Sequence, residues 1–390
     1  MKALLFANTD WFLHRFEREL AHALRAAGAE VVLVAPQGPY TAGLEAEGFR
    51  CLPLTIERRR VDPLRELATA RSLGRLLRSE RPDLLHSFTL KSVLHGAIAG
   101  RRAGVPVVVG SITGLGHLYS VTGWRIRTLR WLFERVAGPV LRKTRTIFLN
   151  RDDHRQFVDR GLVDPESARC IASSGVDVER FRPAPQDRHP TDDDRPLVVL
   201  PARMLRSKGI ATFVAAARRA REQGLGARWV LAGGGDPGNP EAFSDTELDQ
   251  LVRDSGVEHW GFVEDMIGLY RHAAVVCLPT TYREGVPTVL LEAAACGCPT
   301  VATDVPGCRD AIENGVTGLL VPPRDPEALA EAVGSLLGDP TDRRRMGIEA
   351  RRRMVRRFSV EQVVRETFEV YRRAGLEIPE PDFPSNSAAK

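Results

Sequence analysis

The chain has 390 residues, 43% of them hydrophobic and 27% charged, with a net charge of +5, which fits a soluble globular protein of two domains. The opening run MKALLFANTD is too short for a signal peptide, and no stretch reaches the ~20 apolar residues that cross a bilayer. The six cysteines (Cys51, Cys170, Cys277, Cys296, Cys298 and Cys308) lack the spacing of a zinc site, so reduced thiols in a cytoplasmic protein without a bound metal are expected.

Strand and helix patterns alternate from the start. Residues 3–7, 31–35, 83–86, 105–110 and 146–150 read as short apolar strands, and 16–27 and 64–78 as helices. Residues 182–196, RPAPQDRHPTDDDRP, carry Pro and charge with almost no apolar residue and read as a linker. The alternation then restarts, with strands at 197–201, 229–232, 274–279, 300–303 and 319–321. Short apolar strands between longer helices predict parallel sheets covered on both faces. The division expected is an N-terminal Rossmann-like domain at 1–185, a second at 186–360, a last helix at 361–376 and a disordered tail at 377–390. Ligands of such folds sit at the carboxyl ends of the strands.

Arg203 and Lys208 follow the strand at 197–201 and precede a helix pattern. Two cations before a helix N-terminus suit a diphosphate, although a solvated basic turn has the same sequence. The segment LAGGGDPG at 231–238 formally matches the dinucleotide fingerprint, but Pro237 and the residues after it open no helix, so that reading fails. The glycines there suit a close backbone approach. The loop Gly261-Phe262-Val263-Glu264-Asp265 precedes a short helix at 266–272 and can hold a flat base.

TYREGVPTVLLEAAACGCPT at 281–300 carries Glu284 and Glu292, eight positions apart. Glu284 lies in a loop at a strand's carboxyl end. Pro287 suits the first helical position, and Gly297 the stop. Glu292 falls inside a helix that is otherwise apolar, where a carboxylate is costly unless it is partnered. Its two oxygens match a vicinal diol such as a ribose; a neighbouring backbone group or Arg would satisfy it equally.

The stretch EGVPTVLLE matches the E-x7-E motif of the family-four retaining glycosyltransferases. The following GCPTVATDVPGCRDAIENGVTGLLVPPRDPEALAEAV continues their C-terminal pattern, and ARMLRSKG at 202–209 is similar to their phosphate-binding segment. This resemblance implies a GT-B fold: α/β, two Rossmann-like domains whose parallel sheets face each other across a cleft, with acceptor on the first and nucleotide-sugar on the second. It also implies a last helix that crosses back to the first domain. Arg203 and Lys208 would bind the donor diphosphate, Glu284 the transferred sugar and Glu292 the ribose. Backbone amides of Gly285, Val286 and Thr288 would face sugar or diphosphate, and Phe262 and Val263 would hold uracil. UDP-sugar is then a co-substrate, and no cofactor is implied.

VVVGSITGLGHLYS, LAGGGDPGNPEAFSDTEL and HSFTLKSVLHG further resemble bacterial UDP-N-acetylhexosamine transferases, among them enzymes that extend an undecaprenyl-diphosphate-linked sugar. The function implied is transfer of an N-acetylhexosaminyl unit to a glycan or lipid-linked sugar in cell-surface polysaccharide or glycoprotein glycan assembly. The chain departs from the family at two places. Thr113 stands before Gly114 where many relatives have histidine, and Asn8-Thr9-Asp10-Trp11 replaces a Gly-Gly loop. Asn8, His14, Thr113 and Gly114 are therefore the acceptor-side candidates, with His86, His95 and His117 beside them.

A lipid-linked acceptor implies contact with the cytoplasmic face of the inner membrane. The basic, amphipathic segment 124–136, with Trp124, Trp131 and Phe133, would suit an anionic leaflet; an ordinary helix packing its apolar side on the sheet has the same pattern. Arg58, Arg59 and Arg60 form a second basic group. Two other readings are a UDP-sugar 2-epimerase on the same architecture and, from the pI of about 9.0, a nucleic-acid-binding protein. The scattered arginines lack interleaved aromatics, which counts against nucleic acid.

Overall fold

The computed structural model describes residues 1–56, 62–115, 119, 123–184, 195–381 and 383. Arg58–Arg60, His117, most of the linker and the end of the tail lie outside these. Packing divides the chain into two units, Met1–Gly175 with Val360–Lys390, and Val176–Ser359.

The first unit is built on seven parallel strands: β1 (Lys2–Phe6), β2 (Glu30–Ala35), β3 (Arg50–Pro53), β4 (Leu84–Phe88), β5 (Val107–Ile112), β6 (Arg145–Phe148) and β7 (Ala168–Cys170). Their order in the sheet is β3-β2-β1-β4-β5-β6-β7. Alternate residues of β1 feed two cores, as a strand's period of two dictates. Ala3 and Leu5 pack with Ala21, Leu24, Phe368 and Tyr371. Leu4 and Phe6 pack with Leu73 and Leu77. The helix Val360–Arg373, last in the chain, thus completes the core of the first sheet, and Ile378 is buried there too.

Several local outcomes differ from the sequence reading. β5 begins at Val107 rather than 105 because Pro106 has no N–H for the ladder, and Val107 N donates to Asp83 O at 3.1 Å. The first helix starts at Asp10, where the Thr9 hydroxyl accepts from Phe12 N at 3.1 Å. It widens into a π-turn at Leu13–Glu17 before Arg18–Ala26. The edge strands β3 and β7 were not evident, being four and three residues long.

The second unit has six parallel strands: β8 (Leu197–Pro201), β9 (Arg228–Ala232), β10 (Val257–Gly261), β11 (Ala273–Leu278), β12 (Thr300–Thr303) and β13 (Gly318–Val321). The order is β10-β9-β8-β11-β12-β13. Both units are Rossmann-like. In each sheet the strand order reverses beside the first strand, between β1 and β4 and between β8 and β11, and loops leaving those strands at such a point leave a crevice for a ligand.

Candidate functional site

The residues singled out in the second unit leave β8 and β11, the two strands at its reversal point. After β8, Leu205 leads into a 3-10 turn, Arg206–Lys208, which ends at Gly209 with φ +78°. A Cβ at Gly209 would lie 1.9 Å from Pro279 O, so only glycine lets the β8 loop pass against the end of β11. The helix Ile210–Glu222 follows. The contact is closed by Thr281 N donating to Ser207 O at 2.8 Å and the Thr280 hydroxyl at 3.0 Å from the same oxygen.

This contact sets Lys208 beside Glu284. Lys208 Nζ lies 2.5 Å from Glu284 Oε1, with side chains only 19% and 15% exposed. The Thr280 hydroxyl, on a fully buried residue, also reaches Glu284 Oε1 at 3.2 Å. The ammonium is thereby held at one place, and in a half-dry setting its field is stronger than in bulk water. Cys308 is buried against this pair, and that burial, helped by the Glu284 charge, raises its thiol pKa well above the usual value.

The helix Thr288–Ala295 begins four residues after Glu284. Pro287 is its N-cap, with ψ 118° and no side-chain capping bond, so the helix starts one residue later than the sequence suggested. The first amides of the helix have no intrahelical acceptors and carry the positive end of its dipole. Glu292 is 6% exposed. The Tyr270 hydroxyl, on the helix Met266–His272, donates to its Oε2 at 3.0 Å. That bond offsets part of the cost of burial.

Arg203 is 62% exposed and lies 2.6 Å from Asp236 Oδ2, which holds it to the glycine-rich loop after β9. No helix opens in that loop before Asp245. A Cβ at Gly233 would lie 1.9 Å from Ala202 O, so this glycine serves a close approach of two backbones, whereas one at Gly235 would meet nothing within 4 Å. Phe262, just past β10, is 79% exposed, and Val263 is half-buried. Sequence reasoning missed Tyr270, Thr280 and Asp236. Tyr270 and Asp236 act on partners distant in sequence, and Thr280 bonds both the distant Ser207 O and the nearby Glu284; no local pattern marks them, although Thr280 follows a strand that ends in the site. Among the described residues no cluster of three His, Cys, Asp or Glu side chains is arranged to hold a metal ion.

The acceptor-side candidates belong to the first unit. Asn8 follows β1, and Thr113 and Gly114 follow β5; all three are half-buried. His14, also half-buried, packs its ring 5.2 Å from that of Tyr40. His86 is 1% exposed. Its ring nitrogens lie 2.7 Å from the Tyr371 hydroxyl and 2.8 Å from Ser111 Oγ, and burial lowers its pKa to about 3. It is a neutral structural link between sheet and last helix and does not face an acceptor. His95 Nε2 lies 2.8 Å from Glu66.

The helix Trp124–Leu141 buries only Ala137, Gly138 and Leu141. Trp124, Leu129, Trp131, Leu132 and Val136 are 52–73% exposed. These five point to solvent, against the expectation of an ordinary helix packed by its apolar side on the sheet, whereas Phe133 packs against the core that holds Leu141. Arg125 and Arg135 lie over the Trp124 and Trp131 rings at 5.3 and 5.8 Å. No helix among the described residues is long and apolar enough to cross a membrane.

Residues 14–168 match the model of the glycosyl transferase 4-like domain, and residues 195–339 that of the glycosyl transferases group 1. The chain is 26% identical over 336 residues to the N,N'-diacetylbacillosaminyl-diphospho-undecaprenol alpha-1,3-N-acetylgalactosaminyltransferase of Campylobacter jejuni, covering 84% of this chain and 87% of that one. It is 30% identical over 326 residues to the alpha-maltose-1-phosphate synthase of Mycolicibacterium smegmatis, covering 76% and 80%. The fold matches that of Anabaena Alr3699/HepE, solved in complex with UDP, with a TM-score of 0.77 at 20% identity over 96% of this chain and 100% of the other. With both Rossmann-like units matched by glycosyltransferase families, the chain belongs to the family-four glycosyltransferases and is an enzyme of glycosyl transfer.

Proposed function

We propose that the enzyme moves a hexosyl unit, an N-acetylhexosaminyl unit by its likeness to the Campylobacter transferase, from a UDP-sugar to a hydroxyl of a lipid-linked sugar, with retention of anomeric configuration. The second unit takes the donor and the first the acceptor. The observation that carries this reading is the Lys208–Glu284 pair at the β8/β11 reversal point, directly before a helix N-terminus.

Breaking the glycosyl–phosphate bond leaves negative charge on UDP. Lys208, Arg203 and the amides of Gly285, Val286 and Thr288 stabilise that charge where it develops, and fixed dipoles do so without reorganising. Glu284 orients Lys208 and accepts a hydrogen bond from a hydroxyl of the transferred sugar. Glu292, held by Tyr270, accepts the two ribose hydroxyls, and Phe262 and Val263 cover the uracil. The acceptor hydroxyl attacks from the face the phosphate leaves, and the departing phosphate oxygen takes its proton, so the anomeric configuration is kept without a protein nucleophile.

The Trp124–Leu141 helix rests on an anionic leaflet through its outward tryptophans, leucines and arginines, which brings a diphospholipid acceptor to a protein on the cytoplasmic face of the inner membrane. The UDP-bound relative and the lipid-linked substrate in the name of the Campylobacter enzyme support this reading. A panel of UDP-sugars with undecaprenyl-diphosphate-linked sugars tests it, with released UDP and glycosylated lipid as readouts. One donor should give equal amounts of both products, with an α-linkage retained from the UDP-sugar. Hydrolysis without lipid product, or an inverted linkage, contradicts it.

A further inference from the structure

The loops that leave β1 and β2 expose two large aromatic side chains. Trp11 is 44% and Tyr40 39% exposed. Both belong to the carboxyl edge of the first sheet, where parallel α/β folds bind ligands. One carboxylate organises them. Asp10 is only 7% exposed. Its Oδ1 accepts from Trp11 N at 2.8 Å, and its Oδ2 from Tyr40 N at 2.8 Å and the Thr41 hydroxyl at 3.2 Å.

A buried carboxylate persists only when it is well bonded, and here its bonds fix the backbones of the two exposed aromatic residues. Gly38 completes the arrangement, since a Cβ there would lie 2.5 Å from Asp10 Oδ1. Each ring is also braced by another. Trp11 packs edge-on to Phe16 with centroids 5.2 Å apart, and Tyr40 lies 5.2 Å from His14. Each ring is thus braced by a neighbour while much of its surface stays in water, an arrangement that core packing does not require.

We infer that Trp11 and Tyr40 form a stacking floor for a pyranose ring of the acceptor saccharide. A pyranose presents a face of C–H bonds that an aromatic ring can cover, and its equatorial hydroxyls need polar partners at the edge. Asn8 and His14, half-buried on the same loop and first turn, supply such partners. The sequence Asn8-Thr9-Asp10-Trp11 thereby gains a purpose: Thr9 starts the helix, Asp10 ties the two loops, and Trp11 meets the sugar. This inference rests on the assignment of the acceptor to the first unit and names the residues that would select it.

The test compares wild type with Trp11→Ala, Tyr40→Ala and Trp11→Phe, all in the full chain and checked for unchanged melting temperature. The acceptor KM should rise tenfold or more in both alanine variants and stay near wild type in Trp11→Phe, while the KM for UDP-sugar and the affinity for UDP do not move. In a second arm, methyl α-glycosides of N-acetylglucosamine and N-acetylgalactosamine are titrated against tryptophan emission. A saturable change in wild type that is lost in Trp11→Phe is expected. An acceptor KM within twofold of wild type in both alanine variants overturns the inference. If wild type transfers no sugar from any UDP donor, the donor reading fails, and the floor is judged by emission alone: no response to either glycoside overturns it.

Discussion

Lys208 stands at the end of a short physical chain. Gly209 permits the β8 loop to touch Pro279, Ser207 O then collects bonds from Thr281 N and Thr280 Oγ1, and the Lys208 ammonium lands 2.5 Å from Glu284. In the proposed reaction that ammonium works on charge that appears only as UDP departs. Lys208→Ala should therefore lower kcat by roughly 100-fold or more, the usual cost of removing one preorganised stabilising donor, with Lys208→Arg recovering part of the rate. Equal kcat values in a steady-state assay would remove Lys208 from the chemistry. The two acids and the lysine were legible because they lie within short motifs. Tyr270 was not, because its role depends on two helices packing side by side; nor was the burial of His86, whose neighbours sit on another strand and on a helix 285 residues away.

At the scale of elements, the sequence showed where apolar periodicity was strong and failed where it was weak. β1, β2 and β8 are continuous apolar runs with almost every residue buried. β3 is a four-residue edge strand with no fully buried residue, so it left little pattern to read. The Trp124–Leu141 helix shows the opposite failure. Its apolar residues were evident, but amphipathic periodicity does not say which of them turn inward; Phe133, Ala137, Gly138 and Leu141 do, and Trp124 and Trp131 do not. On the proposed membrane contact, replacing Trp124 and Trp131 together by Ala should weaken partition onto vesicles of anionic phospholipid by about tenfold or more, given ~25 cal/mol for each Å² of apolar surface withdrawn from water. Cosedimentation would measure it. Unchanged partition would assign that face to something other than a bilayer.

For the molecule as a whole, the count of two α/β units was readable from the restart of the strand pattern after the linker. The sheet order was not, since the reversals between β1 and β4 and between β8 and β11 are set by crossovers that no local pattern encodes. The interior of the first unit also holds groups that respond to pH. Burial raises the Glu17 carboxyl well above its usual range, with the Ser174 hydroxyl opposing part of the shift, and burial likewise raises the Tyr371 phenol. A raised carboxyl keeps its proton in the folded state while the unfolded chain ionises. Its contribution to stability is thus complete below the unfolded pKa and lost as pH rises through the folded one. Glu17→Gln, which can still accept from Ser174, should raise the melting temperature at pH 8 by several degrees and leave it nearly unchanged at pH 4. An equal shift at both pH values would contradict a buried neutral carboxyl.

In the proposed reaction the β8/β11 reversal point of the second unit holds the diphosphate and ribose of a UDP-sugar. Calorimetric titration of UDP into wild type, Lys208→Ala and Glu292→Ala, each confirmed as folded, tests it most directly. Wild type should bind UDP saturably, and each variant tenfold or more weakly through loss of a diphosphate or a ribose contact. Affinities in both variants equal to wild type would contradict it.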